Sequence, residues 1–77
     1  MKLKDLLLSK KGRGTFLFRL YSRKDDAVKA IEAPRRGSKK FILSLDNDKE
    51  IYAPYLDCNI STMNYAKDAT TIYVEEK

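Results

Sequence analysis

Seventy-seven residues, 43% hydrophobic and 35% charged with three Gly and two Pro, describe one small folded soluble domain and exclude a second domain or a disordered chain. No histidine and a single cysteine exclude His-based acid/base chemistry, Ser/His and Cys/His dyads and Cys/His zinc sites by counting. The net charge of +5 is uneven: residues 1–40 hold thirteen Lys/Arg and four Asp/Glu, whereas residues 41–77 hold three and seven, so the halves carry +9 and −4 and the basic half suits phosphates, an anionic membrane or an acidic protein surface.

Leu3, Leu6 and Leu7 recur at i, i+3, i+4 with Lys2, Lys4 and Asp5 on the other side, which predicts a helix of about two turns ending before Gly12. So short a helix must lay its leucines on another element, most simply one face of a sheet. The apolar stretch within it, Leu6 to Leu8, is too short for a signal-peptide core, and no apolar run approaches the roughly 20 residues of a membrane span. Together with a lone Cys58, read as a buried or half-buried small hydrophobe, this points to the cytoplasm. Residues 15–21 predict a strand with Phe16, Phe18 and Leu20 on one face and Leu17, Arg19 and Tyr21 on the other. Residues 22–26 read as a polar connection. Residues 27–33, halted by Pro34, read either as a helix capped by Asp25 or as a strand returning in a hairpin, with the strand preferred.

Residues 40–45 and 50–53 predict a hairpin about Asp46-Asn47-Asp48-Lys49, closed by Pro54. The last third predicts two strands joined by residues 66–69. That connection sets Met63 opposite Ile72 and Ser61 opposite Val74, with Thr62 and Tyr73 on the opposite face from Met63, Ile72 and Val74. The expected core is Leu3, Leu6, Leu7, Phe16, Phe18, Leu20, Ile42, Met63, Ile72 and Val74. The expected fold is a single α+β domain over residues 1–77, with a short N-terminal helix packed on a mostly antiparallel sheet of five or six short strands. A small SH3-like or OB-like barrel is the alternative.

Two basic clusters containing glycine, Lys10-Lys11-Gly12-Arg13-Gly14 and Arg35-Arg36-Gly37-Ser38-Lys39-Lys40, lie between apolar segments and read as loops. Their backbones can approach a phosphate while Lys and Arg neutralise it, so Lys10, Lys11, Arg13, Arg35, Arg36, Lys39 and Lys40 are the nucleic-acid contacts if there are any. Arg19 and Tyr21, a cation beside a ring on a strand, are the secondary ones. Basic residues that solvate turns and blunt strand edges account for the same clusters. Tyrosine rings serve equally as anchors in protein interfaces. Asp46, Asp48 and Glu50 alternate as cation ligands can, yet Ile51 stands where a calcium loop needs glycine, and a solvated turn is the simpler reading. The first cluster lacks a Gly-Lys-Ser/Thr ending and precedes a strand, so it is no nucleotide-binding P-loop. Ser38 follows Arg35 and Arg36 at a spacing some protein kinases prefer.

The opening residues 1–7, the aromatic strand after them, Leu56-Asp57-Cys58-Asn59-Ile60-Ser61-Thr62-Met63 and Thr70-Thr71-Ile72-Tyr73-Val74 resemble the layout of small uncharacterised proteins encoded by bacterial phages and prophages. Those have a short leading helix and a closing hairpin. The resemblance implies an accessory protein that acts by binding. The sequence reading is therefore a non-enzymatic protein-interaction module without cofactor or metal. A protein partner or self-association is favoured, nucleic-acid binding is the alternative, and neither membrane insertion nor a small-molecule substrate is expected.

Overall fold

The computed structural model of the chain describes residues 1–10, 16–32 and 41–76. Helix α1, Leu3–Ser9, buries Leu3, Leu6 and Leu7, the three positions its periodicity selects. The Lys2 N–H donates to the Asp5 carboxylate at 3.3 Å and the Asp5 N–H to the Lys2 carbonyl at 3.0 Å, which closes the first turn. The first two helical N–H groups, on Leu3 and Lys4, donate to the Cys58 and Leu56 carbonyls, each at 3.0 Å. A distant stretch of backbone thus supplies acceptors that helix starts otherwise lack.

Strand β1, Leu17–Lys24, runs three residues beyond the predicted strand because Ser22, polar but almost fully buried, continues the inward alternation of Phe18 and Leu20. Strand β2, Ala27–Ile31, returns antiparallel to it, with Leu20 opposite Ile31 and Lys24 opposite Ala27, so the strand alternative for this segment holds. Asp25 and Asp26 form the two-residue loop with φ of 52° and 68°. Positive φ at both central positions is the type I′ geometry, which matches the right-handed twist of a hairpin of this length, and aspartate tolerates it better than most residues.

The hairpin expected over residues 40–53 does not form. Strand β3 is only Leu43–Ser44, paired with Phe18 and Leu17 of β1. The polar residues after it fold back instead of reversing the strand: the Asp48 carboxylate accepts the Ser44 N–H at 2.6 Å, and the Asp48 N–H donates to the Ser44 carbonyl at 3.0 Å. The Asp48 carbonyl then receives the Ile51 and Tyr52 N–H groups and starts α2, Lys49–Tyr52. Pro54 sits in the 3₁₀ turn Ala53–Tyr55 that follows, a place where a missing N–H costs little. The side-chain acceptor of Asp48 offered the backbone a local alternative to a ladder, and the chain took it.

Strands β4, Asn59–Asn64, and β5, Thr70–Glu75, form the closing hairpin. Met63 faces Ile72 and Thr62 faces Tyr73 as expected, but a bulge at Ser61 sets Ile60, not Ser61, opposite Val74. The extra residue restores parity, so Ile60 and Met63, three apart, both lean on the core. Strand β5 pairs parallel with β1, Tyr21 beside Tyr73 and Arg23 beside Glu75. The strand order is β2-β1-β5-β4 with β3 also on β1. The sheet is open rather than a closed barrel, mostly antiparallel with one parallel pair at its centre.

One face of this sheet carries the core: Phe18, Leu20, Ile31, Leu43, Ile72 and Val74 against Leu3, Leu6, Leu7 and Tyr52. The ring of Tyr52 meets Phe18 edge-on at 5.5 Å, and its hydroxyl donates to the Leu45 carbonyl. Phe16 and Met63 are half-buried at the margin of this cluster and Ile42 is half-buried outside it, because its neighbour Leu43 takes the inward position and alternation turns Ile42 away from the core. Cys58 is half-buried against the same cluster. Among the described residues no helix is long and apolar enough to cross a membrane.

Candidate interaction face

Alternation along β1 and β5 sends Arg19, Tyr21 and Arg23, and Thr71, Tyr73 and Glu75, to the face opposite the core. Register adds Ala30 and Val28 from β2 and Thr62 and Asn64 from β4. Both helices pack on the other side, so among the described residues no helix covers this outer face.

Its centre is aromatic. The parallel register brings the Tyr21 and Tyr73 rings into a stack with centroids 4.9 Å apart and planes 16° from parallel. Phe41 meets Tyr21 edge-on at 5.1 Å and 88°. Stacked and edge-on pairs at these separations are favourable beyond the area they bury. Arg19 lies one step along β1 and forks onto Asp68 of the β4–β5 connection, Nη1 to Oδ1 at 3.4 Å and Nη2 to Oδ2 at 2.5 Å. The hydrogen bonds from Arg19 hold the Asp68 carboxyl below its usual range, and Asp68 in turn raises the guanidinium. At the far end Arg23 has Glu75 as its register neighbour. Each Arg on the face therefore has an acidic residue beside it, and the face is close to neutral although the chain carries +5.

Arg19 and Tyr21 are thus brought together as the strand pattern implied. Lys10 is not with them: its ammonium lies 5.5 Å from the centre of the Phe16 ring, and Phe16 packs on the core side. Lys11, Arg13, Arg35, Arg36, Lys39 and Lys40 lie outside the described residues, as does Ser38. Tyr73 and Asp68 complete the face and were missed. The alternation of β5 already put Tyr73 on the solvent side, but its neighbour across the sheet depends on the parallel pairing with β1, which no local pattern announces.

Among the described residues, concavities also lie elsewhere. A polar cleft of about 380 Å³ opens between the Asp25-Asp26 turn and the end of β5, where Arg23 and Lys24 meet Glu75 and Glu76. An apolar groove of about 360 Å³ separates α1 from α2, with Leu7, Leu8, Leu45 and Leu56 inside and Lys4 and Lys49 at its rim. Lys4 is paired with Asp57 at 3.2 Å. Among the described residues no three His, Cys, Asp or Glu side chains are grouped to hold a metal ion. Asp48 of the acidic trio is turned inward on Ser44, so the three do not act as one cluster. Comparison with protein-family models, curated proteins and solved structures finds no match to this chain.

Proposed function

We propose that the chain is a non-enzymatic protein-interaction module, a small bacterial or phage accessory protein of the cytoplasm, and that the outer face of the sheet is its contact surface. The observation that supports this is the stacked Tyr21–Tyr73 pair with Phe41 against it, on a face with no helix over it among the described residues. Tyr and Arg are the residue types that dominate interface energetics, and rings already held by one another lose little freedom on binding. Affinity capture from a host lysate with the wild-type chain and with Tyr73→Thr tests it. Threonine keeps the strand propensity and removes the ring. A co-purifying protein retained by wild type and lost by the variant is expected. Equal capture by both, or robust turnover in an unbiased hydrolase and nuclease screen, overturns it.

Nucleic-acid binding is the second reading, supported by the +9 carried by residues 1–40. Arg19 committed to Asp68 and Tyr21 stacked on Tyr73 weigh against the outer face as a base-stacking platform, which leaves the two basic clusters as its contacts. Fluorescence anisotropy with labelled oligonucleotides at about 50 and 200 mM salt separates the readings, since phosphate contacts make affinity fall steeply over that span. No binding at the lower salt removes this second reading.

A further inference from the structure

We propose that the partner of the outer face is a second copy of this chain, docked sheet against sheet about a twofold axis that runs along the strands midway between β1 and β5. The inference rests on the interaction reading above and names its occupant. Rotation about such an axis preserves height along the strands and reverses the lateral order, so β1 of one copy lies over β5 of the other. Because β1 and β5 are parallel and in register, each residue of β1 then meets its own register neighbour from the second copy. Tyr21 lies over Tyr73, Arg23 over Glu75, and the reciprocal contacts repeat across the axis.

Charge selects this arrangement. A twofold axis across the strands at the level of Tyr21 would stack β1 on β1 in opposite directions and set Arg23 over Arg19. The axis along the strands sets each Arg23 over a Glu75 and brings no like charges together among these residues. Two chains of +5 repel one another, and this nearly neutral, self-complementary face is where they approach with the least of that penalty. Val28, 51% exposed on β2, comes to lie over β4 of the second copy and is covered.

Size sets the strength. Strands of eight, five, six and six residues, at about 3.3 Å per residue and about 4.8 Å spacing, give a face of roughly 400 Å² in projection. Two such faces make about 800 Å², below the size of a stable interface, so the dimer is weak and concentration-dependent.

Sedimentation equilibrium of the whole chain from about 10 μM to 1 mM tests this, a range matched to a small interface. The average mass is expected to rise from one chain toward two. Arg23→Glu and Glu75→Arg are each expected to weaken association about tenfold or more, and the double exchange to restore it. Val28→Lys, at an exposed position that the monomer does not need, is expected to weaken it as well, and circular dichroism confirms that each variant is folded. A single-chain mass at every concentration overturns the proposal, even where Tyr73-dependent capture from a lysate leaves the interaction reading standing. A dimer indifferent to both charge reversals and to Val28→Lys overturns the choice of face.

Discussion

Replacing Asp48 by alanine leaves the Ser44 N–H, buried at the end of β3, without its side-chain acceptor. The expected loss is about 1–3 kcal/mol of unfolding free energy, read by urea denaturation, and Asp48→Asn should lose less because an amide oxygen still accepts. Tyr52 reports on alkaline stability. Burial first, and then Asp46 and Asp48, push its phenol above the ordinary value of 10.0. Between the unfolded and folded values the native state holds the extra proton. This contribution to stability is therefore full below pH 10.0 and is lost as pH rises through the higher folded value. Unfolding followed against pH is expected to show a steeper alkaline decline for wild type than for Tyr52→Phe. The phenylalanine variant should start lower at neutral pH, having lost the bond to the Leu45 carbonyl.

At the scale of elements, the bulge at Ser61 makes an asymmetric prediction for deletions. Removing Ser61 joins Ile60 to Thr62 and leaves a regular ladder with Ile60 and Met63 still on the core side, so the fold is expected to survive. Removing Thr71 from the facing strand turns Thr70 or Ile72 and Val74 outward, all buried now, and is expected to abolish cooperative melting in circular dichroism. The elements that were legible in the sequence are those whose periodicity follows from a single buried face: the leucines of α1, the alternation of β1, and the register of Met63 with Ile72. Residues 40–53 were not, because apolar residues flanking a polar tetrad suit a hairpin and a strand–turn–helix equally. The decision rested on where one aspartate placed its carboxylate. The outer face was half legible: Arg19 and Tyr21 share it by simple alternation, whereas Tyr73 and Asp68 join them through a pairing about fifty residues apart in the chain.

The whole molecule depends on that long-range pairing. Strand β1 has β2 and β3 along one side and β5 along the other, so the core face exists as a continuous surface only once β5 is docked. A chain ending at residue 64 keeps α1, the β1–β2 hairpin and Tyr52, but loses Ile72 and Val74 and the strand on which β4 rests. A domain of this size has only a few kcal/mol to lose. The truncated chain is therefore expected to give no cooperative unfolding transition in urea, where the intact chain gives one.

Parallel pairing of β1 with β5 also has a consequence during synthesis. The β1–β2 hairpin can close soon after Ile31 leaves the ribosome, since its contacts are local. The other edge of β1 then waits for some forty further residues to be translated before Thr70–Glu75 can reach it. Through that interval the nascent chain presents a strand that is apolar on one face and unpaired along one side, which another extended segment can occupy before β5 does.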